Sequence, residues 1–495
     1  MLRPEPMVPV RMRRVAIVAP RAALRDVLVR VAEAGCIEIE AAGRPSAGGG
    51  LDAPQTAPGS ATRRLRTSRA EPGSPEPGSA VLSAVPPDLD ALERAGRTDL
   101  LAGEAQLEEH LGSAVRHGAA AALAGWCPAS AVPAAAERLA EVGGALVPLR
   151  TPRGVDPPTL LRGTGPVRRS FAGLVRTYGT VPYADLDPSV PAGIVYVVMF
   201  GVMFGDAGHG ALLLLAGLSL WLGRPRRAEP LRGLWPFVVG AGVTSTLAGV
   251  AYGEFFGPTG VLPVLWLNPL HDPLRLLAAA VGLGAVLLAV AYGAGIANRW
   301  REGGPSGALY ALSGVAGAML YLGLAAMGGA LWLGDVGVLF AGATVACAGL
   351  ALAGSGLFAA TGGGPAGVVQ VGVQLFDGVL RIGSNVISFA RLAAFGLTHA
   401  ALAAIVWQGT TALARTGGVA LVAAVALFAV GNALAFALEA LVAGVQALRL
   451  EFYELFSRVF DPQGRPFRPW RLPVLHGAGP AAAPPEGNAP DKEAT

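Results

Sequence analysis

Residues 192–222 read AGIVYVVMFGVMFGDAGHGALLLLAGLSLWL, and how this run crosses or avoids a bilayer decides the fold. Its 31 residues hold a single acid, Asp206, and no lysine or arginine. As one helix it would extend roughly 46 Å at 1.5 Å per residue, too far for one straight crossing of a hydrocarbon core about 30 Å thick. Arginines flank it on both sides: Arg168, Arg169 and Arg176 before it, Arg224, Arg226, Arg227 and Arg232 after it. Basic flanks stay on the cytosolic side. The run is therefore expected to be a hairpin of two short helices, turning at Gly205-Asp206-Ala207-Gly208.

The surrounding composition agrees. Residues 189–448 contain 10 Arg and 8 Asp or Glu, whereas the other 235 residues hold the remaining 54 charges. Apolar types make up 53% of the 495 residues, and there are 69 Gly, well above a soluble domain. This pattern excludes a soluble enzyme, a secreted disulfide scaffold and a nucleic-acid binder. The net charge of +4 comes from arginines bordering apolar runs, since Lys492 is the only lysine. No GxxxxGK[ST] phosphate loop can be written, so ATP hydrolysis by that route is not expected. Cys36, Cys127 and Cys347 have no metal-ligand spacing. The basic N-terminus continues into an apolar run too short for a signal peptide and is expected to remain cytosolic.

Further apolar runs fall at residues 234–256, 274–297, 308–333, 335–358, 381–407 and 419–446, so the hairpin brings the expectation to eight spans. Loop charges fit this count. Residues 257–273 carry no arginine and lie outside; Arg299 and Arg301 fall inside, the turn at Asp335 outside, and Arg458, Arg465 and Arg468 inside. Arg415 alone is on the wrong side. Residues 368–380, with Gln370, Gln374 and Asp377, are expected to lie along the cytosolic surface. The fold class is thus a mainly α membrane protein, with residues 186–460 as the membrane domain, residues 461–495 as a cytosolic tail, and residues 1–185 as a small cytosolic α+β domain.

Within that domain, Val15–Val18, a helix over residues 22–34 capped by Gly35, and Ile37 with Ile39 read as strand, helix, strand. A second such unit spans about residues 121–149, around Trp126 and a helix near 133–142. Residues 41–87 are rich in Pro, Gly, Ser and Ala and are expected to be a disordered linker. Residues 88–122 read as one amphipathic helix with Leu89, Leu92, Leu100 and Leu107 on its apolar side, facing either its own domain or a partner.

Charge in mid-membrane is costly and marks candidate function. Ser384, Ser388, Arg391, Phe395 and Thr398 follow helical spacing, with His399 beside Thr398; Asn432, Glu439 and Gln446 recur every seven residues, with Arg449 three further on. Two readings stay open. In one, Arg391 and Glu439 form a buried ion pair that fixes helix register. In the other, Arg391 is a fixed charge facing a moving carboxylate on another chain, while Glu439 and His399 relay protons through a half-channel. Asp206 would mark its mouth, although Asp is common in glycine-rich turns for geometric reasons. His209 reads as structural, and Glu254 as a boundary group with a solvated role equally open.

Several segments, in order, resemble the large membrane subunit of V/A-type rotary ATPases, subunit I in prokaryotes and subunit a in eukaryotes. They are residues 7–40; Gly125-Trp126-Cys127-Pro128; Pro157-Pro158-Thr159; Tyr178-Gly179 to Tyr183 with Asp187-Pro188; MFGVMFGDAGHG at 199–210; Ser388-Phe389-Ala390-Arg391-Leu392 with His399; and Glu439 with Arg449 in Ala447-Leu448-Arg449-Leu450-Glu451-Phe452-Tyr453-Glu454. The resemblance implies a non-catalytic stator subunit in the cell membrane, with no cofactor and no metal. Its partners would be a proteolipid c/K ring, peripheral stalk subunits, lipid and, indirectly, the ring adaptor of the central stalk and the ATPase head. By the resemblance, Arg391 separates two half-channels, Glu439, His399 and Asp206 line the outer one, Arg449 lies toward the cytosol, and Ser388 belongs to the essential-arginine helix. The family's long cytosolic coiled coil has no counterpart here, which removes any basis for carrying over stalk contacts. A proton-coupled secondary transporter with Arg391 and Glu439 at its site is the alternative, and an assembly scaffold a third. The choice between H⁺ and Na⁺, the direction of the machine and ring stoichiometry lie outside the sequence, with a weak preference for protons from His399 and Glu439.

Overall fold

Alternating side chains dictate the first element. In the strand β1 (Met12–Pro20), Val15, Ile17 and Ala19 are buried while their neighbours are not, the period of two that a sheet with one covered face requires. The computed structural model describes residues 8–40, 59–69, 80–152, 154–161, 165–224, 226–362 and 364–476. These divide into two units, one of residues 10–160 with the segment from 465 onward, the other of residues 161–464 with the N-terminal nine.

In the first unit, helix α1 (Leu24–Ala34) ends at Gly35, whose φ of 55° is the left-handed cap expected of it. Strand β2 (Glu38–Ile39) follows. Helix α2 (Ser60–Arg69) and strand β3 (Leu82–Ser83) lie inside the expected linker, which is corrected there; residues 41–58 and 70–79 of it lie outside the described residues. The expected single helix over residues 88–122 is instead α3 (Leu89–Arg94), α4 (Thr98–Ser113) and a hairpin of β4 (Val115–His117) with β5 (Ala120–Pro128). Gly118, at φ 57°, makes that turn. Helix α5 (Val132–Ala140) and strand β6 (Ala145–Pro148) complete the second expected unit. The sheet order is β2-β5-β1-β6, all antiparallel, with β4 also on β5. Its core joins Val15 and Ile17 to Leu28 and Val31 of α1, Leu107 of α4 and Leu139 of α5.

Of the expected tail at 461–495, residues 465–476 belong to this unit, and residues 477–495 lie outside the described residues. Arg465 forms an ion pair with Glu38 at 3.0 Å, the Trp470 amide donates to the Ile37 carbonyl at 2.9 Å, and β7 (Val474–Leu475) pairs in parallel with β3. The chain therefore returns after the last long helix to finish the α+β unit, whose N-terminal part stops near residue 160 rather than 185.

The second unit is helical: α6 (Pro166–Tyr178), α7 (Ser189–Met203), α8 (Ala207–Trp221), a 3-10 segment (Arg226–Leu234), α9 (Trp235–Tyr252), α10 (Pro273–Tyr310), α11 (Val315–Leu333), α12 (Val336–Ala360), α13 (Gly364–Ser388), α14 (Ala390–Thr416) and α15 (Val419–Leu450). Six helical runs among the described residues are long and apolar enough to span a membrane, with α7 and α8 as shorter apolar helices beside them. That gives the eight expected, with the hairpin turning at residues 204–206. Two boundaries move. Gly304, at φ 70°, breaks α10, so the span expected at 308–333 begins at Val315. The segment expected on the surface at 368–380 continues without interruption to Ser388, and Phe389 separates it from α14. The hairpin closes on small residues, as helices packed in lipid do: a β-carbon on Gly249 of α9 would fall 2.0 Å from the Ala207 amide nitrogen.

Three arginine-bordered helix ends meet at one end of this unit. Asn298, near the end of the first part of α10, accepts from the Leu186 amide just before α7 (3.0 Å) and donates to the Val459 carbonyl after α15 (2.8 Å). The charge-based topology requires these three ends to share one side. Asp185 is fully buried there, and burial, then the nearby Glu302 carboxylate, pushes its pKa up to about 8, with Arg299 and Arg301 opposing. The folded state thus holds a proton that the unfolded chain, with an ordinary Asp pKa near 3.9, has given up. Stability contributed by that proton is lost as pH rises through the range up to about 8. Thermal unfolding of the detergent-solubilised chain between pH 5 and 9 should show wild type losing stability as pH rises and Asp185→Asn losing less, with the variant melting a few degrees higher at pH 9. Identical slopes would remove Asp185 as the cause.

Candidate functional site

α14 and α15 are joined by Gly417 and Gly418, at φ 70° and 58°, and pack side by side. The two polar stripes predicted for them do face each other, but in two separate groups. In the first, His399 Nδ1 is hydrogen-bonded to Glu439 Oε2, with side chains 3% and 12% exposed. His399 also meets Phe204 and His209 through ring contacts at 5.1 and 5.7 Å. Asp206 caps α8 by accepting from the His209 amide at 2.9 Å. It accepts as well from the amides of Phe256 (3.0 Å) and Gly257 (2.7 Å).

Backbone strain builds that cradle. Phe256 is the one non-glycine residue with positive φ among the described residues (50°), and Gly257 follows at 92°. Such conformations persist where the surroundings hold them, and here they turn two consecutive N–H groups onto one carboxylate, an anion-binding nest. The same loop buries Glu254, whose carbonyl accepts from the Ala207 amide at 3.0 Å. Glu254 is therefore a buried member of the group, not a solvated boundary residue. His209, expected to be structural, is 1% exposed, and neither of its ring nitrogens has a hydrogen-bond partner among the described residues.

The second group lies eight residues away along α14, about 12 Å at helical rise. Arg391 sits in the first turn of α14. Its Nε donates to the Ser388 carbonyl at 3.2 Å, and its terminal nitrogens approach Gln446 Oε1 and Glu454 Oε1, each at 3.5 Å. The side chain is 25% exposed. Of the two open readings, the ion pair between Arg391 and Glu439 is not formed: Glu439 is bound to His399, and the carboxylate that approaches Arg391 is Glu454. With its amide oriented by its neighbours, Asn385 donates to Glu454 Oε2 at 2.8 Å. Arg449 is exposed on α15, within electrostatic reach of Arg391. Ser388 ends α13, one residue before the break, so it contributes its backbone rather than a side chain on the same helix face.

Glu454 escaped the seven-residue stripe for a geometric reason. Counting on from Asn432, Glu439 and Gln446 lands on Tyr453, which is 70% exposed. Residues Glu451–Phe456 form a π-helical turn, whose wider winding delays the stripe by one position. Glu451 is wholly buried, and both its carboxylate oxygens lack hydrogen-bond partners among the described residues.

Residues 114–256 match the V-type ATPase 116kDa subunit family. The A-type ATP synthase subunit I of Aeropyrum pernix is 27% identical over 65% of this chain and 51% of its own length, and that of Halobacterium salinarum is 27% identical over 64% and 51%. The human V-type proton ATPase 116 kDa subunit a 3 is 33% identical over 28% of this chain and 19% of its own. The chain thus spans about half the length of the archaeal relatives it matches. By sequence and by its helical membrane architecture, the chain resembles the large membrane subunits of V/A-type rotary ATPases, named subunit I and subunit a.

Proposed function

We propose that this chain is the stator membrane subunit of a V/A-type rotary ATPase, forming two offset proton half-channels against a ring of proteolipid subunits. One observation carries the reading. The polar groups of α14, α15 and the π-helical turn form two separate sets, a buried one at His399 and Glu439 and a partly exposed one at Arg391, whose terminal nitrogens reach Gln446 and Glu454 only at 3.5 Å. A continuous polar file would short-circuit the membrane, whereas two sets divided by a permanent cation do not.

Protons enter through Asp206, His209, His399 and Glu439 and pass to a carboxylate on the ring. As the ring turns, that carboxylate meets Arg391, whose guanidinium stays charged in a poorly hydrated site and favours the ionised form. The released proton leaves past Ser388, Glu454 and Arg449. ATP is handled on other chains, so this subunit is non-catalytic. The unit of residues 10–160 docks on the peripheral stalk, both termini are cytosolic, and the membrane is the plasma membrane.

ATP-driven acidification of inverted vesicles tests this reading. Membranes lacking the chain should fail to acidify and recover when it is restored, while the purified chain alone in liposomes should carry no gradient-coupled flux. Solute-coupled proton flux by the isolated chain would favour a secondary transporter instead.

A further inference from the structure

Asp206, His209 and His399 each offer a ligand atom, and these atoms all lie within 4.8 Å of one another, with all three residues buried. From this geometry we infer that the cluster is a binding site for a divalent transition-metal cation of the zinc class. Binding itself rests only on the cluster; the block of transport argued below rests also on the half-channel reading.

The donor set is that of a zinc site. Two imidazoles and a carboxylate leave a fourth position for water. His399 is oriented as such a ligand would be: Nδ1 is engaged by Glu439, while Nε2 has no partner among the described residues. A ligating histidine almost always gives its other ring nitrogen to a carboxylate in this way. His209 has both nitrogens unpartnered, and its Nδ1 is 3.8 Å from Asp206 Oδ1. Asp206 accepts three backbone N–H bonds, leaving one of an ionised carboxylate's roughly four acceptor positions.

Charge points the same way. Asp206, Glu439 and Glu254 place three carboxylates in one buried region, with Glu254 Oε2 and Glu439 Oε1 unpartnered among the described residues. A dication offsets the charge of such carboxylates directly. Zinc–ligand bonds of about 2.0–2.1 Å place tetrahedral ligands roughly 3.3 Å apart, so a bound cation would draw these atoms together from their present spacing. A cation held here occupies the groups through which the outer half-channel would pass protons and therefore blocks it.

The test uses the full chain purified in detergent, with Zn²⁺ as the probe and Co²⁺ as its spectroscopic substitute. One tight site per chain is expected. It should be lost in His209→Gln and weakened about 10- to 100-fold in Glu439→Gln, which removes only the supporting carboxylate, and it should be retained in Arg391→Gln. Equal binding by wild type and His209→Gln would overturn the assignment. Should His209→Gln fail to fold, X-ray absorption of zinc-loaded wild type decides: two imidazoles with oxygen ligands support the site, and sulfur ligation overturns it. Zinc inhibition of acidification separates the two readings. Binding as assigned with transport untouched keeps the metal site and removes this cluster from the proton path. Absence of binding, with transport still dependent on Glu439, removes the metal site alone.

Discussion

Replacing Arg391 with Gln should reduce ATP-driven acidification of inverted vesicles to the background of membranes lacking the chain, at matched levels of assembled complex. The expectation follows from what holds the guanidinium. Its two side-chain contacts are at 3.5 Å and a quarter of the side chain is exposed, so beyond the Ser388 carbonyl its donors are held only at the limit of hydrogen bonding or not at all. A buried pair kept for helix register has short, well-aligned contacts, and removing one partner from such a pair typically destabilises a protein by about 3–5 kcal/mol. Here the loss should fall on transport, with little change in melting temperature. Arg391→Lys should not restore full activity, because an ammonium loses its proton more readily in a poorly hydrated site and lacks the planar fork. Retained pumping in Arg391→Gln, or a folding defect that accounts for its loss, would return Arg391 to a structural role.

Much of this architecture could be read from residue order. The hairpin at Asp206 followed from a run too long for one span between two basic flanks, and the eight crossings from arginine placement, because a bilayer imposes length and charge rules that act locally. The elements that were misread depend on backbone details with weak local signals. Residues 114–124 are alanine-rich and favour a helix by propensity, yet Gly118 turns them into a hairpin that β1 and β2 complete from distant sequence. The stripe on α15 identified the polar face correctly but not the partner. A period of seven says which way a side chain points, while the break at Phe389 and the π-helical turn at Glu451–Phe456 decide which residues of α14 and α15 stand opposite each other. The burial of His209 and Glu254 depends on the strained loop at Phe256, which has little local signal in the sequence.

Glu439→Gln should lower transport by about 10²-fold, the low end of what a positioned proton-transfer group contributes, while leaving the chain's melting temperature close to wild type. Glutamine keeps the shape and can still hydrogen-bond His399, so a purely structural carboxylate would be replaced at little cost. His399→Gln should lower transport to a similar degree, because its ring is buried against Glu439 and leads toward His209. The double variant distinguishes a relay from two independent supports. Groups acting in series lose their function together, so the pair removed at once should be scarcely worse than either alone. Independent contributions would multiply, giving a loss near the product of the two. Multiplied losses with lowered melting temperature would make the pair a packing device between α14 and α15. Non-additive losses in a stable protein would place both groups on one proton path, with His399 leading to His209 and the Asp206 turn.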